Sequence, residues 1–470
     1  MNVLLINPTQ EHALPSEAGN FPRLGTGPYP PLGLLYLQAA VEARQSGRAE
    51  ILDANLPGTA RRFDADAGLP SPPDIVGLTA MTPNLLGVVD TVRRVKAAWP
   101  AARVVIGGPH ADLFPEESAG LPGVDFVLAG EGEESLPLLL DALAEGRSPE
   151  SLPGIYSRAG SQQVASAARP VVTDLDALPL PDRSRIGVAA YRGFAGSPEP
   201  FTTMITSRGC PYRCAFCGTP RGKHRLRGVD SIVEEVDRCR ALGIGHVYFL
   251  DDTFPLDGRR LHDLCDALAR RAGLSWSCRT AAVGVTEDGL RAMKAAGCRR
   301  LQIGVETGTD EGLRVLGKAA GIDKMREAFR IARRAGIETV AYFMIGLPTE
   351  RTPADVRATL RFAREIDPTY AMFNVLTLYP GTALFEEAAR RGLVDGEAWR
   401  RFAREPRAGF VAPVWEEHLT RGQVLRLLTR AYRSFYWRPR VVARLLREGG
   451  GVAGFFRRFR IGLAMWRGSS

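Results

Sequence analysis

Long apolar runs are missing from this chain, and cysteine is scarce. No uncharged apolar stretch reaches the roughly 18 residues that a membrane-spanning helix needs, so no transmembrane segment is expected. Seven cysteines in 470 residues do not form the dense disulfide framework of a small secreted protein, which indicates a reducing compartment. The opening residues, MNVLLINPTQ, lack the basic region of a signal peptide. These absences argue against a membrane channel and a disulfide scaffold, and they predict a cytoplasmic protein.

Acidic residues are nearly absent from the C-terminal region. Residues 421–470 contain 12 Arg, one Glu and no Lys or Asp, a net charge of +11. Because the whole chain carries +9, the remaining 420 residues sum to −2. The basic character belongs to one segment, so a nucleic-acid-binding surface across the whole protein is not expected.

Two blocks of alternating strands and helices are predicted. In the first, residues 1–150, short apolar runs such as NVLLIN and RVVIGG alternate with helical segments. Runs of this kind are typical of a parallel sheet covered on both faces. We therefore predict a doubly wound, Rossmann-like domain whose ligand lies beyond the carboxyl ends of its strands. Residues 151–199 are rich in Pro, Ser, Gly and Ala, and we interpret them as a linker with room for one small hairpin.

The second block, residues 200–400, contains six strand–helix units. Several of its helices end at a glycine suited to a left-handed C-cap, namely Gly243, Gly297 and Gly336. Six consecutive units predict a partial (β/α)6 barrel of the TIM type, with its chemistry at the carboxyl ends of the strands. Residues 401–470 are predicted to form a helical, basic C-terminal region. The fold class is therefore α/β.

Three of the seven cysteines, Cys210, Cys214 and Cys217, are crowded into SRGCPYRCAFCG, just after the first strand of the second block. On a helix this spacing would form a buried stripe, but Pro211 and the flanking glycines favour a loop. A zinc site would want a fourth ligand, for which His224 is the local candidate. Three thiolates suit a [4Fe–4S] cluster better, because they leave one iron open to a substrate. The other four cysteines have no metal-ligand spacing: Cys239, Cys265, Cys278 and Cys298.

The CxxxCxxC spacing, with Phe216 before its last cysteine and at the end of the first strand of a βα barrel, resembles the radical S-adenosylmethionine (SAM) superfamily. The resemblance implies that the three cysteines hold the cluster and that the open iron is chelated by the amino and carboxylate groups of SAM. An electron from the cluster then cleaves the sulfonium and yields a 5′-deoxyadenosyl radical that abstracts hydrogen. It also implies an external electron donor such as flavodoxin or ferredoxin.

Carboxylates at other strand ends are expected to contact SAM. Asp251 and Asp252 follow the second barrel strand, and Glu306 ends the fourth. Such carboxylates can accept hydrogen bonds from an ammonium group or from ribose hydroxyls. The resemblance indicates Glu306 as the stronger candidate for a SAM contact and Asp252 as a further candidate. The alternative for each acid is an ordinary solvated carboxylate or a helix cap.

Further SAM contacts are implied by the aromatic residue of the cysteine motif and by the turn after the fifth strand. The resemblance implies that Phe216, the aromatic residue of the cysteine motif, contacts SAM. It also implies that Ile345 and Pro348, in MIGLP, belong to a turn that contacts adenine. Arg279, in the strand SWSCRT, is a candidate for binding a carboxylate, and an ordinary ion pair at the barrel rim is its alternative.

Four stretches that carry glycine follow one another at strand ends of the first block: PYPPLGLLYLQAA, GLTAMTPN, VVIGGPHADLFPEE and VLAGEGEES. Glycine lets a backbone approach a large ligand closely. In front of a radical SAM barrel, their order resembles the cobalamin-binding domain of cobalamin-dependent radical SAM enzymes, of which the class B methyltransferases are examples. A degenerate domain that no longer binds cobalamin is the alternative. The resemblance implies cobalamin contacts at Thr79, Met81, Gly107, Gly108, Gly130, Glu131 and Gly132.

No histidine fits the DxHxxG stretch through which many cobalamin proteins ligate cobalt. His110, in GGPHADL, has Pro109 before it and Leu113 three residues after it. The resemblance therefore implies base-off cobalamin with no histidine lower ligand. Cobalt in this state should favour Co(I), the nucleophile that takes a methyl group from SAM.

The end of the chain mixes Arg with Phe, Trp, Tyr and Leu, as in GVAGFFRRFRIGLAMWRG. One interpretation is a surface helix that contacts anionic lipid or an apolar substrate, which would bring the protein to a membrane surface. The other is a helix packed on the barrel with a basic outer face. No nucleic-acid recognition motif accompanies the charge, so nucleic acid is not an expected partner.

Three functions remain open at this stage. The favoured one is a methyltransferase that methylates an unactivated carbon of a small-molecule or lipid biosynthetic intermediate, through methylcobalamin and a 5′-deoxyadenosyl radical. The second keeps these cofactors but performs oxidation, ring formation or rearrangement without methyl transfer. The third is a non-catalytic sensor that carries cobalamin or the cluster.

Overall fold

The computed structural model divides the chain into two compact units. Unit 1 comprises residues 1–14, 28–191 and 397–411, and unit 2 comprises residues 15–27, 192–396 and 412–470. The structure describes residues 1–11, 13–14, 28–57, 59, 71–149, 152–159, 162–165, 169–192, 199–219, 224–256 and 258–447. Among these residues, no helix is both long and apolar enough to pass through a lipid bilayer.

Unit 1 is built on a seven-stranded sheet. Its strands are β1 (Asn2–Asn7), β2 (Arg48–Asp53), β3 (Ile75–Thr79), β4 (Arg103–Gly107), β5 (Phe126–Leu128), β6 (Ile155–Ala159) and β7 (Gln162–Ala165). Their order is β2-β1-β3-β4-β5-β6-β7, and the first five are parallel. The direction of winding reverses at β1, which creates a crevice at the carboxyl ends of the strands. β6 and β7 form an antiparallel hairpin within the segment interpreted as a linker.

Helices cover this sheet because each presents an apolar face to it. They include α1 (Leu32–Ala43), α2 (Leu85–Ala98), α3 (Pro109–Leu113), α4 (Pro115–Ala119) and α5 (Gly132–Ala144). One core cluster joins Leu5 and Val105 of the sheet to Leu34 of α1 and Leu139 of α5. Removing such side chains from water contributes most of the stability of a domain of this kind.

Unit 2 contains a six-stranded parallel sheet. The strands of this sheet are β8 (Phe201–Met204), β11 (His246–Phe249), β12 (Ser275–Thr280), β13 (Cys298–Glu306), β14 (Glu338–Ile345) and β15 (Tyr370–Val375). Two further strands, β9 (Ser207–Arg208) and β10 (Arg225–Leu226), form a short antiparallel ribbon. The order β15-β14-β13-β12-β11-β8 follows the chain, and every neighbouring pair is parallel. This confirms the predicted partial (β/α)6 barrel and the α/β fold class.

The helices that follow are α6 (Val229–Ala241), α7 (Gly258–Ala269), α8 (Glu287–Ala295), α9 (Asp310–Val315), α10 (Ile322–Arg334), α11 (Pro353–Ile366), α12 (Ala383–Arg390), α13 (Ala398–Arg404), α14 (Arg421–Tyr436) and α15 (Pro439–Arg447). Threonine hydroxyls cap the first turns of α8, α9, α11 and α12. Gly243, Gly297 and Gly336 have positive φ, as the C-cap prediction requires. α13 belongs to unit 1, where it packs on α4.

α14 covers the edge strand of the barrel sheet. The Tyr432 hydroxyl donates to the Phe373 carbonyl at 2.9 Å and lies 3.2 Å from the Phe373 N–H, which donates to it. Tyr436 makes the same pair of bonds with Ala371. Backbone groups of β15 are satisfied in this way rather than left for another strand. The start of the basic region is therefore packed structure, while GVAGFFRRFRIGLAMWRG lies outside the described residues.

Candidate active site

The loop that carries the three cysteines is fixed through its backbone. After β8 and β9 the chain runs through Cys210, Cys214 and Cys217, all of them free thiols. The Ala215 N–H donates to the Leu316 carbonyl at 2.9 Å, and the Ala215 carbonyl accepts from the Leu384 N–H at 2.9 Å. The loop therefore joins the carboxyl-end side of the barrel to the chain that follows α9 and to the start of α12.

The loop passes close to Gly317, which has φ +67°. A Cβ atom there would lie 3.0 Å from the Arg213 carbonyl oxygen, so both the backbone conformation and the close approach favour glycine. The half-buried Phe216 lies in the same loop.

The three thiols influence one another electrostatically. Burial raises the pKa of Cys210, and the charges of Asp252 and Cys217 act in the same direction. Burial also raises the pKa of Cys214, which the positive charge of Lys318 opposes. Such like-charge coupling requires the thiols to lie near one another. Binding to iron removes this cost because a metal stabilises thiolates.

The donor set suits an iron–sulfur cube. Within the described part of the chain, no three His, Cys, Asp or Glu side chains are placed to hold a single metal ion. A [4Fe–4S] cube places a different iron at each thiolate, and soft thiolate sulfur is its usual ligand. Cys210, Cys214 and Cys217 fit that group.

The neighbouring acids Asp251 and Asp252 occupy different environments. Asp251 is buried, and its Oδ1 accepts from the Thr206 N–H at 2.9 Å and from the Ser207 hydroxyl at 2.6 Å. Burial raises the pKa of Asp251 to about 6. Asp252 is exposed and close enough to Cys210 to raise the pKa of that thiol. Asp251 therefore positions the chain that leads into the cysteine loop, and Asp252 is left accessible to a ligand.

Glu306 lies at the end of β13 in an uncommon conformation. Its φ is +70°, and the pairing between β13 and β14 shifts register between Gly304 and Glu306. Burial raises the pKa of the Glu306 carboxyl, and Lys318, whose Nζ lies 3.1 Å from Oε1, opposes this. Positive φ at a residue other than glycine costs conformational energy, which is why such residues often mark functional sites.

Lys318 is a site residue that the sequence analysis missed. Its ammonium group bonds Glu306 and also interacts electrostatically with Cys214 and Cys210. Burial acts to lower the pKa of Lys318, but the charge and hydrogen bond of Glu306, together with the charges of Cys214 and Cys210, outweigh burial and raise it. No spacing or motif in the sequence connects Lys318 to the cysteines, so only the fold could reveal it.

The MIGLP turn after β14 is held by a second missed residue, Glu350. Gly346 has φ +86°, and the Oε2 atom of Glu350 accepts from the Gly346 N–H at 2.7 Å and the Leu347 N–H at 3.0 Å. Ile345 is buried and Pro348 is half-buried. Burial raises the pKa of Glu350 to about 7, and Asp355 adds to the effect.

We expect Glu350→Gln to flatten the pH dependence of stability. A raised pKa means that this group stabilises the fold at pH below 4.5 and loses that contribution as pH rises through about 7. The difference between these two pKa values corresponds to about 3 kcal/mol in the free energy of unfolding. Hydrogen exchange of peptides that contain the MIGLP turn, measured at pH 5 and pH 8 and corrected for the intrinsic effect of pH on exchange, checks this: the wild type should lose more local stability than the variant between these values. Equal losses would contradict it, and Glu386→Gln, which replaces an exposed glutamate of α12, is the control and should lose as much stability as the wild type.

In unit 1, the predicted cobalamin-binding residues gather at the carboxyl ends of adjacent strands. Thr79 ends β3, which borders the switch point, and Gly107 ends the neighbouring strand β4. Gly108 has φ +98°, and a Cβ there would lie 3.0 Å from the Ala80 carbonyl oxygen. Met81 is half exposed at this edge, with 53% of its surface accessible. The arrangement fits a large planar ligand approached by backbone.

The loop before α5 brings the other three predicted residues to the same edge. Gly130 has φ +97°, and its N–H donates to Asp112 Oδ1 at 2.6 Å. Glu131 Oε2 accepts from the Val172 N–H at 2.5 Å, so this carboxylate also holds the chain that follows the hairpin. Gly132 is the first residue of α5.

His110 is fully buried at the start of α3. Its Nδ1 lies 3.1 Å from the Thr82 hydroxyl, and its ring packs on Phe114 with centroids 5.4 Å apart. Burial lowers the pKa of His110 to about 4. The imidazole is therefore neutral at physiological pH and takes part in the packing of the loop after β3.

Two known protein families match separate parts of the chain. Residues 25–140 match the family described as the B12 binding domain, and residues 204–363 match the Radical SAM superfamily. The chain is 32% identical over 465 residues to a protein named uncharacterized methyltransferase PH0819 of Pyrococcus horikoshii, and the match covers 96% of each chain.

Two further proteins are similar over most of the chain. The anaerobic magnesium-protoporphyrin IX monomethyl ester cyclase of Cereibacter sphaeroides is 27% identical over 451 residues, which cover 93% of this chain and 71% of the cyclase. The radical S-adenosylmethionine methyltransferase TsrM of Kitasatospora setae, solved with cobalamin and a [4Fe–4S] cluster, superposes with a TM-score of 0.66 at 23% identity. That superposition covers 83% of this chain and 75% of TsrM, and it shows the shared fold.

The chain thus combines a B12 binding domain with a radical SAM domain, and one relative aligns with it over 96% of both chains. The chain belongs to the family of cobalamin-dependent radical SAM enzymes.

Proposed function

We propose that this enzyme methylates an unactivated carbon of a small-molecule biosynthetic substrate and takes the methyl group from SAM. The observation that carries the proposal is the fixed loop of Cys210, Cys214 and Cys217 at the carboxyl-end side of a barrel that shares its chain with a cobalamin-binding fold. The relative that covers 96% of the chain is named a methyltransferase, which supports this outcome.

The proposal gives each group of residues one role. Cys210, Cys214 and Cys217 hold the cluster, which when bound supplies the electron that cleaves SAM. Phe216, Asp252, Glu306, Ile345 and Pro348 contact SAM. Cobalamin, which when bound carries the methyl group, is contacted by Thr79, Met81, Gly107, Gly108, Gly130, Glu131 and Gly132, with no histidine beneath cobalt.

The chain itself orients the reacting groups. Asp251 fixes the strand end that leads into the cysteine loop, and Lys318 offsets negative charge at the thiolates and at Glu306. Glu350 fixes the MIGLP turn through two backbone N–H groups. Groups held in place before the reaction lower its barrier, because orientation does not have to be created in the transition state.

A second candidate outcome is ring formation or oxidation without methyl transfer. It is favoured by the magnesium-protoporphyrin ester cyclase, whose similarity covers 93% of this chain. The same cofactors would serve both outcomes, so the products have to be measured.

The products of anaerobic turnover should distinguish these outcomes. Mass spectrometry is expected to find S-adenosylhomocysteine and 5′-deoxyadenosine in equal amounts, since methyl transfer uses one SAM as methyl donor and another as radical source. 5′-Deoxyadenosine alone would instead indicate the cyclase-like outcome. Neither product would indicate a non-catalytic carrier and would contradict the proposal.

An electron donor and a membrane contact complete the proposal. The electron that reduces the cluster has to come from outside the chain, and a flavodoxin or ferredoxin would supply it. Trp437, 65% exposed, precedes α15 in the chain, and the Arg440 side chain of α15 is 76% exposed. An exposed aromatic residue close in sequence to an exposed arginine suits an anionic lipid surface. Binding to vesicles that contain phosphatidylglycerol, compared with neutral vesicles, tests this contact.

A further inference from the structure

A cavity of about 640 Å³ lies at the amino-end side of the barrel sheet. It is bordered by the start of β14, by the residue that precedes β15, by α10, by the C-cap of α11 and by α15. The cysteine loop lies at the carboxyl-end side of the same sheet, and the eight residues of β14 span about 26 Å. The cavity is therefore separate from the candidate active site, and its volume is in the range of small-molecule pockets.

Among the described residues, three arginines line this cavity: Arg333 of α10, and Arg440 and Arg444 of α15. Arg333 Nη2 donates to the Ile366 carbonyl at 2.5 Å. Arg444 Nη2 donates to the Pro368 carbonyl at 2.8 Å. A carbonyl oxygen accepts a hydrogen bond but carries no full charge, so these two bonds orient the guanidinium groups without neutralising them.

The Asp367 carboxylate faces several guanidinium groups at once. Its Oδ1 accepts from Arg438 Nη2 at 3.2 Å. Its Oδ2 lies 3.6 Å from Arg440 Nη2 and 3.9 Å from Arg444 Nη1. Burial lowers the pKa of Arg438, Asp367 opposes this, and the positive charges of Arg444 and Arg364 act in the same direction as burial. The guanidinium groups therefore lie close enough to repel one another.

The charges around the cavity leave an excess of positive charge. Glu338, a further acid of the lining, forms an ion pair with Arg300. The C-termini of α10 and α11 each add about half a negative charge. Together with Asp367 they supply about two negative charges against the four guanidinium groups of the described residues that line the cavity or bind Asp367, so about two positive charges are left. Residues 448–470, which lie outside the described residues, contain four Arg and one Glu and add positive charge.

The rest of the lining offers hydroxyl groups and apolar surface. The Thr369 hydroxyl accepts from the Thr339 N–H at 3.0 Å, and the Thr339 hydroxyl accepts from the Thr369 N–H at 3.2 Å. A hydroxyl that accepts in this way still has its own proton to donate. Phe329, Ile337 and Ala443 supply the apolar part. This lining suits an anion attached to a carbon skeleton better than a bare inorganic ion.

We propose that this cavity binds a phosphomonoester, whose phosphate group lies among Arg333, Arg440 and Arg444. A phosphomonoester carries a charge of about −1.5 to −2 at pH 7, which matches the positive excess. The planar fork of a guanidinium group binds phosphate oxygens through two parallel N–H bonds. The site is a second one, beyond the proposed function, and it does not depend on methyl transfer.

Equilibrium dialysis of the anaerobically reconstituted full-length protein tests the proposal. The probes are glycerol 3-phosphate, glycerate and glycerol, which share a three-carbon skeleton and differ in charge. Glycerol 3-phosphate should bind about 10- to 100-fold more tightly than glycerol, as expected for hydrogen bonds between charged groups, with glycerate between them. Binding of glycerol 3-phosphate no tighter than that of glycerate would overturn the proposal.

Two substitutions locate the binding, and a third is the control. Arg440→Gln should weaken binding of glycerol 3-phosphate about 10-fold. Asp367→Asn should tighten it about 3- to 10-fold, because it removes a negative charge, whereas a merely structural role of Asp367 would not tighten it. Asp367 has φ +43°, a conformation that asparagine also adopts. Arg291→Gln replaces an exposed arginine of α8 that lies 3.8 Å from Asp288 and should leave binding unchanged. Wild-type affinity in Arg440→Gln would overturn the proposal.

Vesicles distinguish a lipid head group from a soluble phosphate as the ligand. Flotation compares phosphatidylcholine vesicles that contain phosphatidic acid, a phosphomonoester, with vesicles of equal surface charge that contain phosphatidylglycerol. A preference for phosphatidic acid that Arg440→Gln removes would assign the phosphate to a lipid. Equal flotation, together with binding of glycerol 3-phosphate, would assign it to a soluble compound. Arg440→Gln should form 5′-deoxyadenosine from SAM and dithionite as the wild type does, so the proposed function and this site are tested separately.

Discussion

Cys214→Ala is expected to abolish cluster binding and formation of 5′-deoxyadenosine, while cobalamin stays bound. With one thiolate removed, two irons of the cube lack a protein ligand instead of one, and the cube is released. The proposed cobalamin contacts all belong to unit 1, which this change does not touch. Iron and sulfide content, the corrin absorbance of reconstituted protein, and mass spectrometry of incubations with SAM measure the three properties.

Cys265→Ala is the matched control for this loss. Cys265 is also a free cysteine of unit 2, but it is buried on α7, and burial raises the pKa of its thiol to about 12. This variant should retain iron and produce 5′-deoxyadenosine, at a small cost in stability. Product formation by Cys214→Ala, or equal loss in both variants, would refute the assignment of the cluster ligands.

Lys318→Met is expected to destabilise the end of β13 by about 3–5 kcal/mol, because it leaves the buried Glu306 carboxylate without its partner. Protection of β13 amides from hydrogen exchange should then fall by about 150- to 5000-fold. Exchange measured by mass spectrometry on peptides of β13 and β14 detects this locally. A global unfolding curve would not detect this change, because a chain with two units does not unfold in a single two-state transition.

Two further variants separate the ion pair from a general effect of the substitution. The double variant Glu306→Gln with Lys318→Met removes both charges and should recover most of the protection. Lys324→Met removes a half-exposed ion pair with Glu327 and should change protection by less than about 1 kcal/mol. If the double variant is no more protected than Lys318→Met alone, the loss does not come from an unpaired carboxylate.

Most of the architecture could be predicted because local signals and burial agree. NVLLIN and RVVIGG are apolar on both faces, as parallel strands between helices must be, and Gly243 and Gly297 mark helix ends that no other residue would favour. The small hairpin was anticipated, but its pairing with β5 was not. A strand in a short polar segment has no periodic pattern that names its partner.

The site could be predicted only where chemistry is carried by residues close in sequence. The three cysteines are separated by a few residues, so their spacing alone indicates a cluster. Asp251 and Asp252 are adjacent, and which of them is buried depends on Thr206 and Ser207, 45 and 44 residues away. Nothing near either aspartate in the sequence contains that information.

Lys318 and Glu350 illustrate the same limit. Each acts through a contact that the fold creates: Lys318 with the carboxylate of Glu306, and Glu350 with two N–H groups of a turn. Charged residues are frequent on surfaces, so their burial is the informative property, and it cannot be read from one sequence.

Main-chain atoms alone clamp Ala215, since its N–H and carbonyl groups bond Leu316 and Leu384. These hydrogen bonds can form with any residue that has a backbone N–H group, and proline at position 215 or 384 would remove one of them. Cys214 and Cys217 lie within two residues of Ala215, so the main chain ties both cysteines to the barrel. The side chain at position 215 can therefore vary while the geometry of the loop is retained, whereas Leu316 and Leu384 are also constrained by their burial in the core.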